Sequence, residues 1–248
     1  MTQDKSIPAP NSKQRDPRQV GEMFARVAPK YDRINRAMCF GMDKFWRKAL
    51  AKNALSIARQ SGLPVLDLAC GSGDVALEIL RLAPDARVVC ADLCPEMLEL
   101  AKKKIGAAGF PKRAEFVLSD ARSLPFETAS FSACTISFGF RNFQNRSECL
   151  AEISRVLAPG GRLSILEVAK APKVFEPAQR FFMCACVPAI ASICGAKNKA
   201  DYKYLAKTTM EFPSQPELFE MLRDSNFKNP RSKYFVFGFV ALTISEKP

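Results

Sequence analysis

The alternation of apolar and polar residues changes rhythm along the chain. From Arg18 to about Arg59, Val20, Phe24, Val27, Tyr31 and Ile34 recur at three- and four-residue steps, and Phe45, Trp46, Ala49, Leu50 and Leu55 follow after Gly41. That spacing puts them on one face of a helix, so residues 18–60 are predicted to be helical. From Pro64 onward, short apolar runs alternate with helical stretches. Strands are expected at 64–68, 87–91, 115–119, 131–137 and 162–168, with helices at 74–83, 95–107 and 146–157 and a turn at Ala158-Pro159-Gly160-Gly161. The rhythm specifies an α/β fold, a mainly parallel sheet covered on both faces. Residues 170–212 interrupt it, a helix at 215–225 restores it, and Lys233–Ser245 is β-rich about Gly238. The polar, Pro-containing residues 1–17 have little to bury and are expected to be disordered, with Pro17 opening the first helix.

At 248 residues and 48% hydrophobic content, the chain can bury the core of one catalytic domain. No window reaches 18 consecutive apolar residues, and the start lacks the apolar core of a signal peptide, so a cytoplasmic location is expected. Nine cysteines without a C-x-x-C pair suit reduced, buried thiols; neither disulfides nor a metal site is expected. The chain has no histidine, which removes the commonest general base and triad partner. The net charge of +12 is uneven: residues 1–60 hold thirteen Lys or Arg and five Asp or Glu. Such a segment suits nucleic acid, an anionic bilayer surface or an acidic protein, and equally the solvated faces of amphipathic helices.

The chemistry concentrates in Val65–Leu80, VLDLACGSGDVALEIL, where a strand breaks into a glycine turn and resumes as a helix. Gly71-x-Gly73-x-x-Ala76, with Asp92 ending the next strand, fits a dinucleotide or another nucleoside cofactor. Val-Leu-Asp-Leu-Ala-Cys-Gly-Ser-Gly resembles the first motif of class I methyltransferases. Leu118-Ser119-Asp120-Ala121, Leu124-Pro125-Phe126 and EISRVLAPGGRLSILE are similar to later parts of the same fold. These features favour S-adenosylmethionine over NAD. FARVAPKYDRINRAMCF (24–40), TISFGFRN (135–142) and YKYLAKTTMEFP (202–213) then resemble signatures of the UbiE, MenG and COQ5 family of quinone C-methyltransferases, over residues 18 to the end.

The resemblance implies a Rossmann-like, mainly parallel seven-stranded sheet with a helical N-terminal lid at 18–60 and a methyltransferase domain over 61–248, carrying a substrate cap at about 170–212. It implies S-adenosylmethionine at Asp67, Gly71, Ser72, Gly73, Asp92, Asp120, Ala121 and Ser137. Arg141 and Asn142 are expected at the oxygens of a polyprenylated quinol, Arg141 favouring the phenolate. Glu167 is a spare candidate for proton handling, with an ion-pair role the stronger expectation. Tyr31 and Asp32 are expected to fold over the cofactor as part of the lid, Tyr31 also being a candidate for the substrate site and fitting an apolar helix stripe equally well. Tyr202 and Tyr204 either line the quinol pocket or pack the insertion. Phe181–Gly195, with Ser192 its one polar residue, could receive an isoprenoid tail, dip into an interface or form a core helix broken by Pro188.

The resemblance is imperfect at the turn, where Cys70 and Ser72 stand in place of the expected Gly and Thr; Ser72 keeps a hydroxyl. Naphthoquinol and benzoquinol rings are equally compatible with the sequence, and so is a homodimer. Peripheral association with a membrane is an expectation; nucleic acid is not, because TISFGFRN stands where an Asn/Asp-Pro-Pro-aromatic amine-methylation motif would. The rival readings are an NAD-dependent oxidoreductase, an RNA-binding methyltransferase and a non-catalytic scaffold.

Overall fold

The short apolar run after Pro64 becomes the centre of a sheet, because every residue of β1 (Val65–Leu68) is buried. Continuous burial is what a parallel strand covered on both faces requires. In the computed structural model, which describes residues 16–28, 31–194 and 199–248, seven strands lie in the order β3-β2-β1-β4-β5-β7-β6. The others are β2 (Val88–Asp92), β3 (Ala114–Leu118), β4 (Phe131–Ser137), β5 (Leu157–Val168), β6 (Lys228–Phe235) and β7 (Val240–Glu246). β1 to β5 pair in parallel, whereas β7 runs antiparallel to both β5 and β6.

Three helices precede the sheet: α1 (Pro17–Val27), α2 (Tyr31–Met38) and α3 (Asp43–Ser61). Within it come α4 (Asp74–Leu82), α5 (Pro95–Ala107) and α6 (Arg146–Val156). Trp46, Leu50, Leu80 and Ile105 pack one face, while Leu150, Ile153, Leu218 and Leu222 pack the other. The last two come from α10 (Gln215–Asp224), which opens on a capping box between Ser214 and Glu217.

The interruption at 170–212 is a helical cap: α7 (Glu176–Phe181), a π-turn over Phe182–Cys186, α8 (Val187–Ile193) and α9 (Lys199–Met210). Pro188 does not break this segment, contrary to one of its expected readings. The π-turn lies against the proline, and its wider pitch relieves the clash of the ring with the carbonyl four residues earlier. The helix is also only partly buried, with Phe181 and Ile193 largely exposed. Two strands are longer than the pattern suggests. β5 takes in the Ala158–Gly161 turn through a register shift, and β6 begins five residues earlier, its Pro230 tolerated on an edge strand. Of the expected tail, residues 1–15 lie outside the described residues, and α1 starts at Pro17.

Asp67 faces α4 from inside β1. Its carboxylate accepts from the Ala76 amide at 3.2 Å and the Thr135 hydroxyl at 2.7 Å. Burial pushes this carboxyl up to about 7, while the bonds from Thr135 and Ala76 pull the other way. The folded state therefore holds a proton that the unfolded chain releases near 3.8, and stability falls as pH rises from there to about 7. Asp67→Asn has no proton to lose and keeps an acceptor for Ala76, while the Thr135 hydroxyl can turn to the Leu66 carbonyl 3.4 Å away. Its melting temperature should fall less than the parent's between pH 4 and 7; parallel melting curves across that range would refute the assignment.

Candidate active site

The carboxyl ends of β1 and β4 mark the point where strand order reverses, the place where open α/β sheets bind ligands. The two ends approach closely there. A Cβ on Gly139 would sit 2.8 Å from the Ala69 Cβ, and Ala69 and Phe138 both hold left-handed backbone, with φ of 52° and 56°. Such strain in non-glycine residues costs about 1–3 kcal/mol each and concentrates at functional sites. The glycine turn follows. Gly73 has a φ of 79°, and a Cβ on it would lie 2.8 Å from the Ala101 Cβ, so only glycine lets α4 pack on α5 here.

Asp92 closes the turn by accepting from the amides of Gly71 at 2.8 Å and Cys94 at 2.9 Å. Burial raises its carboxyl above the ordinary range, and the amides of Cys94, Gly71 and Leu93 oppose that rise. Gly71, Asp92, Ser119, Asp120, Ala121, Ser137 and Asn142 line a cleft bounded by Phe24 of α1 and Tyr31 of α2. The hydroxyl oxygens of Ser119 and Ser137 and both amide atoms of Asn142 are buried without a protein partner. Buried polar atoms are normally paired, so these fit a polar ligand. Asp120 carries a prior engagement: Arg122 donates to its oxygens from the backbone and the guanidinium, holding its carboxyl below the usual range.

A second, larger cavity of about 300 Å³ lies on the far side of Tyr31, lined mainly by apolar residues including Met38, Trp46, Phe182 and Leu205. Phe24, Tyr31 and Phe138 border both cavities. Arg141 belongs to the second. Its guanidinium donates to Glu167 Oε1 at 2.8 Å and to the Phe138 carbonyl at 2.5 Å, and its amide to Glu167 Oε2 at 3.2 Å. Consecutive residues of the 3₁₀ turn Phe140–Asn142 point about 120° apart, which sends Arg141 and Asn142 to different cavities, so Asn142, expected beside Arg141 at the quinol oxygens, stands in the polar cleft instead. Burial raises the Tyr31 phenol above its ordinary value, with Arg141 and Arg47 pulling it down. The phenol stays protonated at neutral pH, a hydrogen-bond donor between the two spaces.

Similarity to known proteins bears on what this pair of cavities does. The model of the ubiE/COQ5 methyltransferase family matches residues 11–247. The chain belongs to that family. A demethylmenaquinone methyltransferase of Deinococcus radiodurans is 39% identical over 241 residues, 97% of each chain. A mitochondrial 2-methoxy-6-polyprenyl-1,4-benzoquinol methylase of Caenorhabditis elegans is 34% identical, over 92% of this chain and 80% of its own length. Among solved structures, a SAM-dependent methyltransferase of Thermotoga maritima, described as a possible histamine N-methyltransferase, superposes with a TM-score of 0.64 at 16% identity, over 92% of this chain and 99% of its own. The [4+2]-cyclase SpnF matches with a TM-score of 0.61 at 18% identity, over 98% of both chains. These two likenesses establish the fold alone. Family membership makes the protein an enzyme, a methyltransferase.

Several expected site residues stand elsewhere in this family member. Asp67 is committed to α4 and Thr135 and does not line the cleft; its bonds hold the helix that follows the turn. Ser72 points its hydroxyl at Asp32, 2.5 Å away, and accepts from Lys104 at 2.9 Å, also outside the cleft lining. Gly73 acts through packing. Tyr204 is buried against Val20 and Met23 of α1, and Leu205 and Thr209 take the chamber-facing positions of α9. The Tyr202 side chain lies outside the described residues. Glu167 serves as the ion-pair partner of Arg141. Phe138, Ser119 and Met97 line the cleft without having been singled out; Ser119 and Phe138 sit inside the quoted motifs, whereas nothing in the pattern marks Met97.

Lys104 was also missed. Its ammonium bonds Asp32 of α2 at 2.6 Å, Asp74 of α4 at 2.6 Å and Ser72, while Arg47 of α3 bonds Asp74 at 2.7 Å and Asp43 at 2.6 Å. α2, which carries Tyr31, is thus latched to the turn that carries Gly71. Lys104→Met should speed amide exchange in α2 while leaving β1 and β4 protected. Unchanged exchange in α2 would show that apolar contacts alone hold the helix.

Proposed function

We propose that this methyltransferase moves a methyl group from S-adenosylmethionine to a ring carbon of a polyprenylated quinol, a demethylmenaquinol or a 2-methoxy-6-polyprenyl-1,4-benzoquinol. The observation that carries the reading is the pair of cavities, one polar and one apolar, sharing Phe24, Tyr31 and Phe138 as their boundary. The names of the two relatives support the choice of ring.

The polar cleft fits the cofactor through its orphaned Ser119, Ser137 and Asn142 atoms and through Gly71, whose Cβ-free position admits a close neighbour. When bound, S-adenosylmethionine supplies an electrophilic methyl group. Asp92 offers its remaining lone pairs to ribose hydroxyls, and Asp120, steadied by Arg122, stands at the cleft edge for a base amino group. The apolar chamber holds the ring and excludes water. Arg141 favours the ionised ring hydroxyl electrostatically, and Glu167 fixes the guanidinium in place. Tyr31 donates to a ring oxygen and keeps the acceptor carbon in line with the methyl group. One proton is released overall: the ring hydroxyl gives its proton to water as the ring enters, and the hydrogen on the methylated carbon passes to that oxygen after the transfer, so the chain's lack of histidine is no obstacle.

The test is methylation of short-tailed quinols with labelled cofactor. Reduced ring should gain one methyl group; oxidised quinone should not, since only the quinol has a hydroxyl whose ionisation activates the adjacent carbon. Efficient methylation of fully oxidised quinone would overturn the mechanism.

Two variants separate the cavities. Arg141→Ala would leave Glu167 buried without its cation, a folding cost of about 3–5 kcal/mol, so Arg141→Lys is the cleaner probe. It should lower kcat by roughly 10²-fold with cofactor affinity unchanged, because the ammonium of a stem one atom shorter does not reach the Nη1 position that bonds both Glu167 and the Phe138 carbonyl. Asp92→Ala should weaken S-adenosylmethionine binding by about 1–3 kcal/mol, measured calorimetrically, and an unaltered affinity in folded protein removes Asp92 from the site.

A further inference from the structure

The mouth of the apolar chamber carries an unusual surface. Apart from Leu118 and Tyr234, every large apolar side chain exposed among the described residues lies on the segment from Phe40 to Phe45, on the cap or on the β6–β7 connection. Phe40 is 72% exposed, Phe45 63%, Phe181 68% and Phe237 75%. These rings continue the chamber outward. Phe40, itself part of the lining, meets Phe182 at 6.3 Å; Phe237 follows Val236, which lines it, and lies 5.5 Å from Phe175; and Phe45 meets Phe235 at 6.0 Å, which in turn lies 6.4 Å from Trp46 in the lining.

The backbone pays for this display. Phe40, Val236 and Phe237 hold φ of 49°, 50° and 54°, a left-handed conformation that bulky residues adopt only under constraint. A turn whose only task was to connect β6 to β7 would use glycine or asparagine there. Strain that holds phenylalanines in water gains nothing in the isolated protein.

The charges around the rings are mostly positive. Arg36, Lys44, Lys48, Lys173, Arg180 and Lys233 are exposed in these segments or just beside them. Among the described residues there, the exposed acids are Glu176 and Glu211, the latter 4.0 Å from Lys207; Asp43 is buried beside Arg47. Aromatic rings flanked by cations fit an interface that is apolar within and anionic at its rim. No helix among the described residues is long and apolar enough to cross a membrane, so contact would be at the surface.

We propose that this mouth is a docking face for an anionic lipid bilayer. Phe45, Phe181 and Phe237 enter the acyl boundary while the cations meet phospholipid headgroups, and the chamber opens into the layer where a polyprenyl chain resides. The purpose of the face rests on the proposed function; its existence does not.

The test uses the full chain and sedimentation with vesicles of phosphatidylcholine, with and without phosphatidylglycerol. The parent should bind the anionic vesicles and release them as salt rises. Phe45→Ser, Phe181→Ser and Phe237→Asn combined should lower partitioning by roughly tenfold per ring lost. Asparagine tolerates the left-handed region, so Phe237→Asn alone should match or exceed the parent's melting temperature while binding vesicles less. That opposition is a signature that a merely structural ring would not give. Activity on a water-soluble, short-tailed quinol should survive, since none of the three rings lines either cavity. Equal partitioning by parent and triple variant overturns the face, as does no vesicle binding by the parent. A vesicle-free dimer that the triple variant abolishes also overturns it, by making the face a protein interface. Vesicle binding without any quinol methylation leaves the face standing and defeats the proposed function instead.

Discussion

One bond organises the site: the Gly71 amide donating to Asp92 across the gap between β1 and β2. It fixes a glycine turn that no local preference would hold, since Gly71 and Gly73 both need left-handed backbone and the turn must pass close to α5. Asp67 completes the clamp from beneath by taking the Ala76 amide at the start of α4. Two carboxylates from adjacent strands, each raised by burial, thus hold the turn and the helix after it. Keeping them in so dry a place costs stability, and the protein recovers it only as a preorganised site.

From that clamp the two cavities follow. The approach of Gly139 to Ala69 brings the end of β4 against the turn, and the strained Phe138 is pushed between the spaces. The 3₁₀ turn beyond it then gives one side chain to each: Asn142 to the polar cleft, Arg141 to the apolar chamber. A lone guanidinium in such a chamber would carry a heavy desolvation penalty. Glu167 and the Phe138 carbonyl offset it and aim the fork, so the pair works as an oriented dipole whose cationic end borders the chamber.

Much of this was legible in the sequence, for physical reasons. The β-α rhythm is a burial pattern, and burial is what a sheet covered on both faces enforces; Asp92 and the glycines sit at strand ends, where period and position coincide. Side-chain direction within turns and at helix phase boundaries was not legible. Ser72 is expected at the cofactor from its place in the glycine turn, yet its hydroxyl turns to Asp32 and Lys104, a lysine from another helix that no local spacing connects to it. Tyr204 and Leu205 are adjacent on α9 and differ in phase by about 100°, so only the position of α1 decides which of them meets the chamber. One of the readings of Phe181–Gly195 makes Pro188 a breaker because its cost is local, whereas the π-turn beside it absorbs that cost.

The same α2 helix walls both cavities through Tyr31, and it is tied to the sheet by charge and to the cap by apolar contact: Asp32 to Lys104 on one side, Ile34 to Ala191 on the other, with Arg33 donating to the Cys194 carbonyl. The two attachments differ in kind. The ionic one is half-exposed and weakens with salt, while the apolar one is dry and does not.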